Sequence, residues 1–587
     1  MKVKLSDYVF KFLREKGVAH VFMLPGGGAM HLCDSLGTSG IEYIPFLHEQ
    51  GAAIAAEAYG QHTNTPGVLL VTSGPGGTNA ITGVTAGWID STPMFVISGQ
   101  AKRSDLVGNK GVRQIGSQEV QIVPMVTPVT KFAVQVLEPE KIKYYMEKAW
   151  HEATAGRPGP VWLDIPLDVQ GAQVEPESLE GFVPDEEKSS LAAKKAAGKA
   201  LQLLSTAKKP LVLAGNGIKL SNAAGHFKAL VHLLGIPVQT TWKTIDMLGE
   251  DDMLYAGHPG IMGDRGANFI LQEADFLLSI GSRLDTSITA FNDEHFAYKA
   301  RKVIVDIDGH ELDRMGIPDS DRFCCDACDF IHEMMDLCRQ KSFGQKAEWT
   351  SWLGCCKSLR EKYPVVTEAH KNHEGTVSAY YFIDVLCDLL KPDDVVVPES
   401  SGGAGEITYQ AFRLKEGQKM KNAAGLGSMG FGLPYAIGSC IANNRRRTIL
   451  INGDGAFQLN IQELESLHRL NLPVKMFIWC NEGYASIRAM QRNNFEGRYV
   501  GSSAESGLTI PDLVKVAAAY GFKTVRIKDN RELDAVLPSV MADNMPVLCV
   551  VHVDPNETVL PRVRAYVGAD GQIKSGLLEK MTPEIVS

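Results

Sequence analysis

The sequence predicts an α/β protein built from three consecutive units, and three observations carry that expectation. At 587 residues the chain is too long for one hydrophobic core. Short apolar runs ending in glycine-rich polar turns recur in residues 1–175, 192–340 and 376–555. Between these runs lie segments of helical length, which is the pattern of strand–helix–strand units in a parallel sheet. Residues 172–191 (AQVEPESLEGFVPDEEKSSL) read as an acidic surface linker, and 341–375 as a charged, at most helical connector. The tail, 556–587, has little core-forming pattern and is expected to wrap over a surface.

The first unit opens with a helix capped by Ser6, with Val9, Phe12 and Leu13 on one face. Strand Val21–Leu24 leads into Pro25-Gly26-Gly27-Gly28, a loop able to pass close to a ligand. Strand Ile41–Leu47 ends at His48-Glu49 before an alanine-rich helix, and Val68–Thr72 runs into Ser73-Gly74 and on to Asn79. A further strand covers Phe95–Ser98. Taken alone, Glu49 is either an exposed turn residue or a functional carboxylate. The second unit carries strands Pro210–Ala214, Phe276–Ile280 and Val303–Ile307, with Gly215-Asn216-Gly217 after the first.

The third unit has the most specific pattern. Strand Val395–Val397 precedes Ser401, and a glycine-rich stretch from Gly425 to Pro434 contains Gly427 and Met429. Strand Ile449–Ile451 ends in Gly453-Asp454-Gly455-Ala456, an amphipathic segment covers Leu459–Leu470, and strand Val474–Trp479 ends at Asn481. Parallel strands finish on the same sheet edge, so Asp454 and Asn481, 27 positions apart, can converge there. One carboxylate and one amide are hard oxygen donors suited to Mg²⁺ shared with phosphate groups. The alternative is an ordinary βαβ unit with a polar turn.

A formal charge of −9 and a pI near 6.0 argue against a nucleic-acid surface, and Arg445–Arg447 reads as a solvated turn. Eleven scattered cysteines favour a reducing compartment. With no signal segment and no run of 18 apolar residues, the expected location is cytoplasmic, with no membrane partner. Cys324, Cys325, Cys328, Cys355 and Cys356 cluster in sequence, but no pair completes a familiar zinc spacing, so zinc is not expected.

The GDG…N segment resembles that of the thiamine diphosphate (ThDP) enzymes. HEQGAAIAAEAYG, LLVTSGPGGTNAITGV and GRPGPVWLDIPLDVQ (Gly156–Gln170) resemble the pyrimidine-binding domain of acetohydroxyacid synthase and its relatives. The resemblance covers about residues 3–565 and implies three doubly wound parallel-sheet domains: pyrimidine-binding, central and diphosphate-binding. It implies that Asp454, Asn481 and the Gly483 carbonyl hold Mg²⁺, with Gly453, Gly455, Ala456, Tyr484, Ala485, Ser401 and Gly427 around the cofactor. Met429 matches the residue that props the cofactor in a bent shape, though simple core packing also accounts for it. From the first domain, Pro25, Gly26, Gly27, Gly28, Ser73, Gly74 and Asn79 would approach the cofactor. Glu49 would hydrogen-bond its aminopyrimidine, and Gln114 would lie near the substrate. Because the family's cofactor lies between subunits, the resemblance implies a homodimer or homotetramer. GHPGIMGDRGAN, GSRLD and DID are similar to FAD-binding segments, which nominates Gly215, Gly217, Gly263, Arg283, Asp285, Asp306 and Asp308. Many ThDP enzymes keep this domain without a flavin, so a structural FAD stays an open expectation.

The implied reaction decarboxylates a 2-oxo acid donor, pyruvate by analogy, and joins the remaining acyl unit to a ketone acceptor. Two departures bear on that acceptor. Arg113 stands where acetohydroxyacid synthases generally have Phe, and Gln491 where their acceptor-selecting Trp is expected. Two polar groups in place of aromatics suit an acceptor rich in hydroxyls or phosphate, such as a nucleotide-linked ketosugar. PGGGAMHLCDSL and the tail also look like ThDP proteins of surface-polysaccharide and branched-deoxysugar pathways, and His31 in that first motif either contacts the acceptor or packs. The leading expectation is therefore a carboligase with a polar ketone acceptor. The alternatives are an acetolactate synthase catalytic subunit and a non-catalytic ThDP-binding homologue.

Overall fold

The computed structural model describes residues 1–184, 191–567 and 571–585. Three all-parallel sheets organise the chain. The first has six strands in the spatial order Glu42–Pro45, His20–Met23, Gly67–Val71, Met94–Gln100, Pro160–Pro166, Phe132–Gln135. The third repeats that topology with Lys419–Met420, Val395–Pro398, Thr448–Gly453, Val474–Cys480, Val547–His552 and Lys523–Ile527. The middle sheet has five strands, ordered Val238–Thr240, Pro210–Ala214, Phe276–Ile280, Arg301–Asp306, Ser320–Cys324.

Each sheet is covered on both faces, which is why its strands are continuous apolar runs rather than alternating ones. Along Pro210–Ala214, Leu211 and Leu213 enter one core while Val212 and Ala214 enter the other. The first and third sheets share a single core on their facing sides. There the alanine- and glycine-rich helices Glu49–Thr63 and Gly432–Ala442 cross so closely that a Cβ on Gly438 would sit 2.3 Å from the Ala55 carbonyl. In all three sheets the strand order reverses between the first and third strands of the unit, and ligands of open α/β sheets bind at the carboxyl edge of that reversal.

One expectation changes and two gain detail. Ser6 lies inside the first helix, Leu5–Glu15, whose cap residue is Lys4, and its buried hydroxyl accepts a hydrogen bond from Ser35 Oγ (2.8 Å) rather than capping the helix. Residues 341–375, expected to be at most a helical connector, include helix Ala347–Lys362, which packs against the middle unit. Trp349 and Trp352 are buried and donate to Ala207 O and Pro210 O, each at 2.9 Å. The tail forms two antiparallel pairs, Arg562–Val563 with Met581–Thr582 and Ala565–Val567 with Ile573–Ser575. It is docked on the middle unit by Arg265, which donates to Met581 O (3.2 Å) and Pro583 O (2.6 Å). Of the linker 172–191, residues 185–190 lie outside the described residues. No helix among the described residues is long and apolar enough to cross a membrane.

Candidate active site

In the third sheet the strands Thr448–Gly453 and Val474–Cys480 pair in register, Gly453 opposite Trp479, so their following residues meet. Asp454 is fully buried. Its Oδ1 accepts from Gly455 N (2.8 Å) and its Oδ2 from the successive amides of Asn481 (3.1 Å), Glu482 (3.1 Å) and Gly483 (3.4 Å). Burial pushes its carboxyl up to about 6, with those amides pulling the other way. The end of the Asn481 carboxamide lies 2.8 Å from Gly483 O and 3.2 Å from Asp454 Oδ1. With its nitrogen inward it donates to both. With its oxygen inward it completes a cluster of three oxygens that only a cation would make favourable, and this donor set fits a small hard cation. The turn is tight: a Cβ on Gly455 would sit 2.6 Å from the Tyr484 ring.

Two further loops of this edge are locked by a carboxylate that sequence reasoning did not single out. Glu399, the first residue after Val395–Pro398, is buried and accepts from Ser400 N (2.8 Å) and Gly432 N (3.1 Å). Burial pushes it up to about 7. It thereby ties the Ser400–Gly402 loop to the helix after Met429, which is half-buried.

At the carboxyl edge of the first sheet, Glu49 begins helix Glu49–Thr63. It is buried, and Asn79 Nδ2, on the neighbouring helix Pro75–Asp90, donates to its Oε2 at 3.0 Å. The Pro25–Gly28 loop presses on Ser73: a Cβ on Gly28 would lie 2.4 Å from Ser73 Oγ, so only glycine fits. Gly28 N donates to Thr72 Oγ1 (3.1 Å), and Gly74 has φ +58 where the chain turns into its helix. The expected first-domain residues thus gather on one edge.

The middle sheet's reversal opens into a 540 Å³ cavity. Gly217, Arg283, Asp285 and Asp306 of the expected nucleotide set line it, and Ser401 and Gly427 of the third unit reach its other wall. Gly217 and Gly281 approach so closely that a Cβ on Gly217 would lie 2.7 Å from Gly281 Cα, leaving backbone facing the cavity. Gly215 and Gly263 do not line it. Asp308 does not line it either, because it caps helix Gly309–Arg314 and pairs with Arg157 (2.8 Å). Arg157, Trp242, Lys243 and Asp90 complete the wall and were not anticipated, although Arg157 stands inside the quoted GRPGPVW motif.

The proposed acceptor residues fare differently. Arg113 and Gln114 sit on an exposed loop, and Gln114 Nε2 donates to Glu119 O (3.0 Å). Buried Glu119, unanticipated, holds that loop by accepting from Val107 N, Ile115 N (3.1 Å) and Gly116 N (3.2 Å). Gln491 corrects the expectation. It is buried and clamps its own loop, donating to Val500 O (3.1 Å) while its Oε1 accepts from Val500 N (3.3 Å) and Ser502 Oγ (2.7 Å). Its hydrogen-bonding groups are satisfied there rather than offered to a ligand. His31 packs against Gly171, whose added Cβ would lie 3.1 Å from its Nε2.

Family comparisons match the three units separately. Residues 3–123 match the thiamine pyrophosphate enzyme N-terminal TPP binding domain, 197–334 its central domain and 401–551 its C-terminal TPP binding domain. The acetolactate synthase isozyme 2 large subunit of Escherichia coli (strain K12) is 31% identical over 580 residues, 98% of this chain and 100% of the relative. The acetolactate synthase large subunit of Lactococcus lactis subsp. lactis (strain IL1403) is 30% identical over 97% of this chain and 96% of its own. A probable acetolactate synthase large subunit of Methanocaldococcus jannaschii is 30% identical over 96% and 93% respectively.

Proposed function

The chain belongs to the thiamine diphosphate enzymes of the acetolactate synthase group, and from that premise we propose that it is a catalytic subunit of acetolactate synthase type, joining the acyl unit of one 2-oxo acid to a second. It is a ThDP-dependent decarboxylase and carboligase. The end-to-end match to acetolactate synthase large subunits carries the choice of acceptor. The polar-ketone reading has lost Gln491 to its own loop and keeps exposed Arg113 and the resemblance of PGGGAMHLCDSL and the tail.

Asp454, Asn481 and the Gly483 carbonyl are the residues that would hold Mg²⁺ and, through it, the cofactor diphosphate. When bound, ThDP supplies the carbon nucleophile and the electron sink for decarboxylation. Glu49, oriented by Asn79, would hold a proton against the cofactor's aminopyrimidine, and its burial keeps competing water away. An added Cβ on Gly26, Gly28 or Gly74 would strike Thr72, Ser73 or Gln118, and Gly427 has φ +62, so glycine holds these turns in shapes that would let backbone pass close to the cofactor. The cavity of the middle sheet suits FAD in a structural role, with Arg283 for phosphate and Asp306 at a strand end for a ribose hydroxyl. We place the protein in the cytoplasm as a homodimer, or a homotetramer of such dimers. Ser401 and Gly427 line a cavity shared with the middle unit of their own chain, whereas neither Glu49 nor its partner Asn79 lines it. That arrangement supports completion of each site by a second copy.

The test incubates the purified protein with pyruvate, ThDP and Mg²⁺, follows CO₂ release and identifies products by mass. Acetolactate formed without any added ketone is the expected result. Negligible turnover that rises only with a nucleotide-linked 4-ketosugar would hand the case to the polar-acceptor reading. Mixing inactive Glu49→Gln and Asp454→Ala chains should restore activity if sites are shared between subunits.

A further inference from the structure

The middle unit carries a side-chain cluster that the reaction does not use. Helices Ala224–Leu234 and Ala327–Gln340 pack together. Cys328 and His332 stand four residues apart and therefore on one helix face, with Cys328 Sγ 3.8 Å from His332 Nδ1. The other nitrogen of that ring, Nε2, lies 3.2 Å from Nδ1 of His226 on the neighbouring helix. The two imidazoles meet edge to face with centroids 4.4 Å apart. One ligand atom from each of the three residues falls within 4.8 Å of the other two.

We propose that His226, Cys328 and His332 form a transition-metal site of the Zn²⁺ class, with solvent as the fourth ligand. Tetrahedral zinc at about 2.0–2.1 Å from nitrogen and about 2.3 Å from sulfur sets ligand-to-ligand edges of roughly 3.3–3.6 Å. The imidazole pair, His332 Nε2 with His226 Nδ1, already stands at that spacing, and rotation of the partly exposed Cys328 side chain and the exposed His332 ring brings Sγ from within 4.8 Å to the same spacing from both nitrogens. Two imidazoles and a thiolate select a borderline-soft ion and discriminate against Mg²⁺ and Ca²⁺, which prefer oxygen. Binding converts the Cys328 thiol to thiolate and releases its proton to solvent. Asp326 and Asp329 flank Cys328 in sequence, and their negative charge favours an incoming cation. Both helices also touch the short helix Gly217–Leu220, whose Gly217 and Leu220 line the 540 Å³ cavity. A metal at this site would therefore pin one wall of the cavity from outside. The cysteine spacing alone concealed the site, because two of its three ligands are histidines, one of them more than 100 residues away.

The test strips the full-length protein of adventitious metal with a chelator, restores excess Mg²⁺ and ThDP, and titrates Co²⁺ as a spectroscopic substitute for zinc. A thiolate-to-cobalt charge-transfer band saturating at one equivalent per chain is expected, and added Zn²⁺ should displace it. Cys328→Ser should abolish the band. His226→Ala, at an exposed position, should keep a band but weaken affinity by more than the roughly 10–100-fold typical of losing an outer-shell partner. Absence of a saturable band overturns the proposal. So does a band that survives Cys328→Ser, or an affinity that His226→Ala leaves unchanged.

Discussion

Glu463 offers a sharp test of how the third unit positions Glu49 without touching substrate. Its buried carboxylate, on helix Glu463–Leu470, accepts from His48 N (3.1 Å), from Leu47 N through both oxygens (3.3 and 3.4 Å), and from Ser466 Oγ (2.5 Å). Those backbone amides immediately precede Glu49, and a Cβ on Gly51 would meet Glu463 Oε1 at 2.7 Å, so the helix start rests directly on this side chain. Glu463→Ala leaves two amides without their acceptor. At roughly 1.5–3 kcal/mol for a hydrogen bond to a charged group, the two would lose about 3–6 kcal/mol. The Leu47 bonds are long, and removing a carboxylate whose burial already raises its pKa returns part of that loss, so about 2–3 kcal/mol net is expected. A shift of Glu49 by about 1 Å can cost on the order of 100-fold in turnover. The assay compares CO₂ release, ThDP and Mg²⁺ affinity, and melting temperature for Glu463→Ala and Glu463→Gln. Turnover should fall at least about tenfold in the alanine variant and less in glutamine, which keeps one acceptor. Metal affinity should hold, because the partners of Asp454 lie elsewhere. Wild-type turnover in Glu463→Ala would refute the positioning role.

Glu49→Gln should retain ThDP and Mg²⁺ while losing most turnover, whereas Asp454→Ala should lose cofactor retention first; calorimetric titration alongside turnover separates the two, and equal defects in both variants would contradict the assignment. Asp164 is fully buried among Ser98, Gln100 and Gln135, and burial lifts its carboxyl to about 6. Since its folded value lies above its unfolded one, the native state is favoured while the group is protonated and loses stability as pH rises from about 4 to about 6. That loss amounts to about 3 kcal/mol at most. Asp164→Asn should remove this slope, and a stability difference between the two proteins that is the same at pH 4 and pH 7 would count against it. Gln491→Trp should destabilise the Val500–Ser502 loop rather than create a new acceptor preference, because three hydrogen bonds vanish. Product ratios with competing ketones, together with proteolysis of that loop, read both effects.

What was legible in the sequence follows a physical line. Strands such as Pro210–Ala214 and Phe276–Ile280 stood out to the residue because both faces of these sheets are buried, which demands unbroken apolar runs. Asp454 and Asn481 were legible because parallel pairing fixes where adjacent strands end. Glu49 was legible only through the motif around it, since nothing local indicates that Asn79 will reach its carboxylate. Glu399, Glu119 and Arg157 escaped because each works through backbone amides or partners that only the folded chain brings near. Gln491 was misjudged for the same reason. A polar residue in place of an aromatic suggests a polar pocket, but the side chain satisfies itself on Val500 and Ser502, nine and eleven residues downstream.

The repeated strand order gives these observations a common cause. The first and third sheets share one topology and one core, and the middle sheet reverses in the same way. Each reversal leaves a crevice between two loops that leave strands in opposite directions, so one chain carries three such crevices. In the third unit the crevice lies beside the oxygen donors around Asp454, and in the first it brings the Pro25–Gly28 loop against Ser73. In the middle unit it opens as a cavity that borrows Ser401 and Gly427 from the third. Loops of the third unit thus serve two neighbours at once. A ligand that orders the cavity wall must therefore also bias the loops that the diphosphate would use. On this reasoning the FAD proposed for this cavity would have a function without redox work, by setting the positions of Ser401 and Gly427. FAD removal should accordingly weaken ThDP affinity even though no electron passes between the two cofactors. Unchanged ThDP affinity in the flavin-free protein would show the two crevices to be mechanically independent.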